Sequence, residues 1–366
     1  MDTYIKLSDQ KQKEFGKELL KRINHHFTSN NISRKANTSL IIKGIVVFAV
    51  LLVPYYIFMT QNLSFGLFFL FYILHTFGQV LVAFNIGHDA NHNALSNNKF
   101  INKLGYFTYD LVGVNSYVWR LMHTKGHHPN INIPDLDQSI MGRKLFRFSP
   151  DQVRETHHKW QHIYVFFFYG LVTIDYVFFR DFVFLFHKNN PYFKDMKHPF
   201  KEYVFLIASK LFYITYTLII PIVFLDFSWY LIILTFIIGH FIGGSLMAFI
   251  FQTTHTVEDT FYPKTKKDYK HFLVHIFATT ADYSWRNRSF NWLMGGLNMH
   301  VAHHISPTTC HVHYYDMTKI AQATAKSFDI PYRENKTFLK AIKSHIALLK
   351  DLGNHDQLSK VDFINS

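Results

Sequence analysis

The hydrophobic pattern of this chain consists of four long apolar segments separated by polar regions. The segments occupy residues 40–59, 63–86, 203–225 and 229–251. Each has roughly the 20 apolar residues that an α-helix needs to cross the hydrocarbon core of a bilayer. Very short links, at residues 60–62 and 226–228, join the two members of each pair. The pattern therefore predicts four transmembrane helices arranged as two hairpins.

The basic residues predict the orientation of these helices. The two short links contain no Lys or Arg, whereas the leader, residues 87–162 and the tail after residue 252 are rich in both. Because basic loops stay on the cytoplasmic side, both termini and the middle region are predicted to be cytoplasmic. The predicted fold class is an all-α, multi-pass integral membrane protein, with two transmembrane hairpins and a cytoplasmic helical domain.

This pattern divides the chain into five predicted parts. They are a cytoplasmic amphipathic leader at 1–38, a first hairpin at 39–87, a cytoplasmic or interfacial region at 88–202, a second hairpin at 203–251 and a cytoplasmic tail at 252–366. In the leader, Phe15, Leu19, Ile23 and Phe27 recur at helical spacing with lysines between them. Such a helix either lies on an anionic bilayer surface or is an ordinary solvated helix.

One apolar stretch, residues 163–186, carries three charged residues, Asp175, Arg180 and Asp181. Three charges in a spanning helix are costly, and a fifth span would move the tail to the opposite face of the membrane. The stretch is therefore predicted to be an interfacial helix with buried aromatic side chains and hydrated charges.

Composition limits the class of protein further. Aromatic residues make up 18 % of the chain, and the mean hydropathy is only +0.01, so apolar spans must alternate with polar regions. The net charge is +13, but the basic residues flank apolar segments and form no single stripe, which favours a membrane over nucleic acid. The single cysteine, Cys310, excludes an intrachain disulfide. No cleavable signal peptide is expected, because the first apolar run starts only after the charged leader.

Three clusters of histidines lie next to the apolar segments. His88 and His92 stand in HDANH, the second cluster stands in HTKGHH, and the third stands in HVAHH. The members of the second and third clusters are His123, His127, His128, His300, His303 and His304. His255, just past the fourth span, occupies the position that His88 has after the second. The predicted topology places all nine on one side of the membrane.

The histidine spacing indicates metal binding. With 24 His in 366 residues, about one or two HxxxH pairs arise by chance, but HxxxHH and HxxHH arise only ~0.1 times each. Residues four apart share a helix face. Each of three pairs is thus predicted to present two ring nitrogens to one metal ion: His88 with His92, His123 with His127, and His300 with His304. The adjacent His128 and His303 point elsewhere and can reach a second metal, giving a dinuclear site. The alternative for any single histidine is a core or surface imidazole.

Two further histidines, His75 and His240, lie inside the second and fourth spans. An ionisable group within a membrane span is a candidate for function. The alternative is a neutral imidazole hydrogen-bonded between helices.

These motifs resemble those of the membrane fatty acid desaturases, in which three histidine boxes hold two irons. The order of hairpin, two boxes, hairpin and third box agrees over nearly the whole chain after the leader. Local stretches are similar to bacterial acyl desaturases related to the front-end, linoleoyl-CoA type. These stretches are GHDANHNALS, WQHIY, FQTTHTVED, TTADYS and GGLNMHVAHHISPTTCHVHYY.

The third box departs from the front-end pattern, which usually has Gln where this chain has His300 and Glu where it has Ala302. HVAHH is similar to the third box of methyl-end desaturases. The sequence also contains no HPGG, the motif of a fused cytochrome-b5 domain. The resemblance therefore implies a separate electron donor of the ferredoxin or cytochrome-b5 type.

The resemblance implies an O2-dependent enzyme of unsaturated fatty acid biosynthesis in a bacterial inner membrane. Its substrate would be a fatty acyl chain carried as a coenzyme A thioester or in a membrane lipid, and its cofactor two iron ions. The eight histidines of the three clusters, together with His255, would be the ligands. Candidates to orient these ligands are Asp89, Glu258, Asp259 and Asp282, and Trp119, Trp285 and Trp292 are candidates to line an acyl tunnel. The structural alternatives are helix caps or surface charges for the acids and core or interface aromatics for the tryptophans.

Two other functions fit parts of this pattern. A related di-iron membrane enzyme hydroxylates or ketolates its lipid substrate on the same scaffold. A metal transporter would also need many histidines, but transport sites lie near the bilayer midplane on broken helices. The clusters here lie at the predicted cytoplasmic boundary instead.

Overall fold

A computed structural model describes residues 7–141, 144–187, 196–269 and 271–356, of which most are helical. The ends of the predicted leader and tail, at residues 1–6 and 357–366, lie outside the described residues. In chain order the α-helices are α1 (Asp9–Ser29), α2 (Thr38–Thr60), α3 (Phe65–Val82), α4 (His88–Asn91), α5 (Lys99–Tyr106), α6 (Thr108–Leu111), α7 (Ser116–Arg120), α8 (Gln161–Gly170), α9 (Val172–Asp175), α10 (Asp181–Phe186), α11 (Phe200–Ile214), α12 (Ile220–Phe224), α13 (Trp229–His255), α14 (Phe272–Thr279), α15 (Arg288–Leu293), α16 (His300–Ile305), α17 (Tyr314–Ser327) and α18 (Phe338–Asn354).

In the part of the chain that the structure describes, four π-helical turns interrupt or extend these helices, at Ala83–Gly87, Leu121–His127, Tyr176–Arg180 and Thr215–Ile219. Short 3-10 turns lie at His128–Asn130, Gln138–Ile140, Thr156–Trp160, Lys266–Asp268 and His311–His313. Two strands of two residues each, β1 (Asp282–Tyr283) and β2 (Glu334–Asn335), pair in parallel, with Asp282 opposite Glu334. Isolated π-turns are often found at functional sites, and two of these four contain or directly precede a predicted metal ligand.

Among the described residues, four helices are long and apolar enough to cross a membrane, and they are the four that the sequence predicts. They run over Thr38–Thr60, Phe65–Asn91, Phe200–Phe224 and Trp229–His255. The second continues through a π-turn into α4, so the HDANH motif forms its last turn. The prediction of a mostly helical chain with four helices apolar enough to span a membrane is therefore confirmed.

The chain divides into two compact units. Unit 1 comprises Met1–Lys35, Thr124–Val165 and Phe249–Ser366, and unit 2 comprises Ala36–His123 and Phe166–Ala248. Most of the apolar helical length belongs to unit 2. The third histidine cluster and His255 belong to unit 1. The chain passes from one unit to the other between His123 and Thr124, inside the second cluster.

Unit 2 is held together by close helix packing and buried aromatic rings. Gly78 of α3 lies so close to α2 that a side chain there would overlap the backbone of Leu51. Further along the same helices, Phe58, Phe68 and Tyr72 form one buried cluster with rings of α11 and α13. Small residues that let helix backbones approach are typical of packing within membranes.

The two histidines inside the spans are hydrogen-bonded between helices, as the structural alternative predicts. Nδ1 of His75 lies 2.7 Å from the carbonyl oxygen of Leu51 in α2. His240 of α13 contacts the hydroxyl of Tyr213 at 3.0 Å and that of Thr173 at 3.0 Å. Both imidazoles therefore join neighbouring helices of unit 2.

The prediction of hydrated charges in the stretch 163–186 is wrong for Asp181, which is fully buried, whereas Asp175 and Arg180 are partly exposed. The stretch forms two helical parts that meet at a bend of 58°, and its charges pair within the protein. Arg180 donates to Asp175 at 2.7 Å, and the fully buried Asp181 accepts from Lys210 at 2.5 Å. Pairing removes most of the cost of placing a charge in an apolar environment. If the bent pair is one span, the number of candidate spans rises to five.

The predicted leader helix is present, but its apolar face does not lie on a bilayer. Phe15, Leu19, Ile23 and Phe27 are all buried in the core of unit 1, among residues of α14 and α17. The ring of Phe15 packs edge-on against that of Phe277 at 5.2 Å. The interpretation as a membrane-surface helix is therefore wrong, because other helices of the protein cover this face.

Adjacent leucines of α1 give a matched test of this packing. Leu19 is fully buried, whereas Leu20 is 43 % exposed. Leu19→Ala is expected to cost about 2–5 kcal/mol through lost burial and the cavity left behind, and Leu20→Ala far less. Thermal unfolding of the purified chain in detergent should show a lower apparent Tm for Leu19→Ala only. Equal shifts for the two variants would contradict the buried position of this face.

Candidate metal centre

Three predicted ligands form a buried group in unit 2, called here the three-histidine group. His88 and His92 stand at the end of the long helix that includes α3 and α4, and their ring centroids are 5.0 Å apart. His123, from the π-turn after α7, lies 5.2 Å from His88 and 4.9 Å from His92. One nitrogen of each ring lies within 4.8 Å of the corresponding nitrogens of the other two. Three imidazoles so placed can share one metal ion.

The ring of His123 is held by stacking. The indole of Trp119 lies parallel to it at 4.2 Å, and the ring of Tyr109 stacks on the same indole at 4.5 Å. Trp119 is buried, so this stack excludes water from one side of the three-histidine group. The role of Trp119 in an acyl tunnel stays a prediction.

Four more histidines form a second buried group in unit 1, the four-histidine group. Its members are His127, His255, His300 and His304, with ligand nitrogens that all lie within 4.8 Å of one another. His300 and His304 share one face of α16, and their rings are 4.8 Å apart. His255, at the end of α13, lies 4.8 Å from His300 and 5.0 Å from His304. The structure thus brings His255 together with the third cluster.

The second cluster is divided between the two groups. His123 belongs to the three-histidine group and His127 to the four-histidine group. The predicted pairing of His123 with His127 on one metal is therefore wrong, because the chain leaves unit 2 between them. The two histidines are four residues apart, but each belongs to a different histidine group.

Most rings of the four-histidine group have one nitrogen anchored to the protein. Nδ1 of His127 lies 2.9 Å from a carboxylate oxygen of Asp137, Nδ1 of His255 lies 3.2 Å from the carbonyl of Thr279, and Nδ1 of His300 lies 2.9 Å from the carbonyl of Leu297. Since carboxylates and carbonyls only accept, each Nδ1 carries the proton and donates it. The lone pair is then on Nε2, the arrangement that metal-ligating histidines use.

His304 completes this group as a neutral imidazole. Its Nδ1 is buried without a hydrogen-bond partner, while its Nε2 lies 3.2 Å from Nε2 of His255. Burial, together with the neighbouring imidazoles, lowers the pKa of His304 well below its usual value. Lone pairs that face one another in a buried space repel unless a cation lies between them. The donor set therefore fits a metal ion that prefers imidazole nitrogen.

His128 and His303 lie beside the four-histidine group within unit 1. Their Nε2 atoms are 3.0 Å apart, and the ring of His128 lies 4.6 Å from that of His304. Nδ1 of His303 lies 3.1 Å from the hydroxyl of Tyr314, a fully buried residue at the start of α17. Tyr314 thus fixes the orientation of His303, a role that the sequence analysis missed.

Asp137 is the main residue of the site that the sequence analysis missed. Its carboxylate is fully buried and accepts hydrogen bonds from His127, from the backbone N–H of Asn132 at 2.8 Å and from the backbone and hydroxyl of Ser139. Burial alone would raise the pKa of Asp137, but the His127 imidazole holds it below its usual value. The sequence feature that pointed to Asp137 was the presence of acidic residues in the segment after the second cluster. Nothing in the sequence shows that this segment folds back onto His127.

The predicted orienting acids have different outcomes. Asp89 is buried, with a carboxylate oxygen 3.9 Å from Nδ1 of His88, which is too long for a hydrogen bond. Asp282 accepts the backbone N–H of Val301 at 2.9 Å, so it holds the first turn of α16 and contacts no imidazole ring by this bond. Burial raises the pKa of Asp282 to about 7. Glu258 and Asp259 are exposed, and a role in orienting buried imidazoles finds no support there.

The other two predicted tunnel residues belong to different surroundings. Trp285 is buried in the core of unit 1, and its indole N–H donates to Glu334 at 2.6 Å. Trp292 is 39 % exposed. Trp285 is therefore part of the unit 1 core, which was the alternative given for it.

Comparison with known proteins gives one consistent result. The family model described as fatty acid desaturase matches residues 63–336 of the chain. An acyl-lipid (8-3)-desaturase of Physcomitrium patens is 30 % identical over 95 % of this chain and 74 % of its own length. An sn-1 linoleoyl-lipid 6-desaturase of Synechocystis is 28 % identical over 96 % of this chain and 99 % of its own, and one from Arthrospira platensis is 28 % identical over 98 % of each.

Proposed function

Because the chain belongs to the fatty acid desaturase family, we propose that it inserts a double bond into the acyl chain of a membrane lipid, using O2 and two irons held by its histidines. It is an oxidoreductase that acts on fatty acyl chains. The observation that carries the proposal is the pair of buried histidine groups at the ends of apolar helices.

We assign one iron to each group. The three-histidine group supplies His88, His92 and His123, the four-histidine group supplies the second set, and His128 and His303 complete the ligands. Iron bound there supplies an oxidant strong enough for unactivated methylene groups, a capacity that no side chain has. The surrounding residues hold the imidazoles in one tautomer and exclude water, which protects the reaction from side products.

The overall reaction balances with two external electrons. A –CH2–CH2– unit, O2, two electrons and two protons give –CH=CH– and two molecules of water. The alkyl chain is oxidised by two electrons and the external donor by two, while O2 accepts four. We propose that a separate protein of the ferredoxin or cytochrome-b5 type supplies these two electrons.

The acyl carrier is proposed to be a lipid and not coenzyme A. The most similar relatives reported above are named for acyl-lipid or linoleoyl-lipid substrates. Four apolar helices place the enzyme in the membrane where such lipids reside. We propose that these helices form two hairpins in a bacterial inner membrane with both termini in the cytoplasm, since the links between paired helices contain no basic residue.

Expression in a bacterial host that lacks the product, followed by mass analysis of its lipids, tests this function. The expected product is lighter than the substrate by two hydrogen atoms and carries a new double bond. A product heavier by one oxygen atom would identify a hydroxylase on the same scaffold. Metal uptake without any change in lipids would identify a transporter.

A further inference from the structure

An aromatic ring at the surface of unit 1 lies beneath two positive charges. The guanidinium of Arg288 lies 3.4 Å from the ring centroid of Tyr315, and the ammonium of Lys319 lies 4.4 Å from the same centroid. Tyr315 is half-buried, while Arg288 and Lys319 are exposed. Two like charges beside one ring repel each other, and Asp316, 3.8 Å from Lys319, balances only one of them. An approaching anionic group would relieve this repulsion.

A second, buried aromatic ring lies beneath this surface. The indole of Trp285 lies 5.6 Å from the ring of Tyr315, and the guanidinium of Arg286 lies 4.3 Å above that indole. Glu334 of β2 bonds both the indole N–H and Arg286, at 2.6 and 2.8 Å. The pairing of β1 with β2 fixes Glu334 in place. The aromatic pair is therefore rigid, and three cations cover it.

This aromatic pair connects directly to a candidate iron ligand. Tyr314 precedes Tyr315 in the chain, is fully buried, and has its hydroxyl 3.1 Å from Nδ1 of His303. Two adjacent tyrosines and one hydrogen bond thus link the half-buried ring of Tyr315 to an imidazole of the site. A surface that served only to bind lipid headgroups would not require this connection.

We propose that the aromatic-basic surface formed by Arg286, Arg288, Tyr315 and Lys319, with the buried Trp285 beneath it, docks an acidic one-electron carrier protein. Each reduced carrier is oxidised by one electron, which enters the site through Tyr315, Tyr314 and His303, and two carriers supply the two electrons of one turnover. The inference rests on the proposed function, which requires a separate electron donor. Basic surfaces attract acidic partners over distance, and such attraction weakens as salt screens it.

Binding of a plant-type [2Fe–2S] ferredoxin to the full chain in detergent tests the proposal. At low ionic strength the double variant Arg288→Glu with Lys319→Glu is expected to raise the Kd about tenfold or more. The KM for ferredoxin should rise by a similar factor. The matched control reverses two exposed lysines of α1 in the same unit, Lys11→Glu with Lys17→Glu, and should change the Kd less than about twofold.

Equal ferredoxin affinity for the wild type and the Arg288/Lys319 variant would overturn the proposal. It would also be overturned if that variant lost binding of phosphatidylglycerol while keeping its ferredoxin affinity, since the surface would then contact lipid. Iron content measured on every variant separates loss of docking from loss of the folded site. Failure of the proposed function gives a different result, because the wild type itself would then form no double bond.

Discussion

Replacing His304 with alanine is expected to abolish desaturation and to lower the iron content of the purified protein. His304 lies within 5.1 Å of the rings of His127, His255 and His300, and its neutral imidazole is one of four that face the same buried space. Removing one nitrogen from this set of four weakens metal binding and changes the coordination on which the activity depends. Lipid analysis of the expressing cells and metal analysis of the purified variant measure the two effects.

His275 provides the control for this variant. It belongs to an HxxxH pair with His271, lies in unit 1, and is fully buried, but its ring stacks on Tyr269 outside both histidine groups. His275→Ala removes the same side chain from an equally buried position, so it should lower the apparent Tm while the iron content stays at the wild-type level. Full activity of His304→Ala, or equal iron loss in both variants, would contradict the ligand assignment.

The second large effect is expected for Asp137→Asn. The carboxylate of Asp137 accepts the Nδ1 proton of His127 and so fixes the tautomer that presents Nε2 to the metal. An amide of the same shape can offer its N–H2 group to Nδ1 instead, which favours the wrong tautomer. Loss of such a partner typically reduces metal affinity or activity ~10–100-fold. Iron titration of the metal-free variant and the rate of product formation measure this change.

Asp259→Asn is the matched control, because it makes the same substitution at an exposed acid near His255 in sequence. Asp259 has a positive φ of 64°, a conformation that Asn adopts as readily as Asp, so its fold should be unaffected. Iron affinity within about twofold of wild type is expected, since the side chain of Asp259 is exposed. A larger loss for Asp259→Asn than for Asp137→Asn would reverse the roles given to the two residues.

The sequence was a good guide to the apolar helices and to the residues of the histidine groups. A run of about 20 apolar residues has few alternatives to a spanning helix, and the predicted ends of the spans lie within a few residues of the observed ones. Spacing within a helix also fixes geometry locally. For that reason His88 with His92, and His300 with His304, share faces as the HxxxH pattern predicts.

Contacts that depend on tertiary folding could not be predicted from the sequence. Asp137 lies ten residues after His127, and only the turn stabilised by Asn132 and Ser139 brings its carboxylate back to the ring. Tyr314 reaches His303 from another helix, α17. Sequence periodicity does not encode such contacts. Glu258 and Asp259 were predicted to orient the imidazoles because they lie near the histidines in sequence, but both are exposed.

Amphipathic and charged patterns were ambiguous in a different way. The helical spacing of Phe15, Leu19, Ile23 and Phe27 shows that one face of α1 is covered, but the same spacing fits a bilayer and a protein core. Likewise, Asp181 looks costly in an apolar stretch until Lys210, from a distant helix, is found beside it. In both cases the sequence pattern shows that the apolar face or the charge must be covered or paired, and only the fold identifies the residues that do so.

The metal content of the purified wild-type chain tests the central claim most directly. Elemental analysis, with the protein concentration measured independently, should give about two iron atoms per chain, one for each histidine group. The same preparation should contain little zinc. Stoichiometric zinc, or no bound iron in a chain that is folded and active on lipids, would contradict an account in which these histidines hold the iron that oxidises the acyl chain.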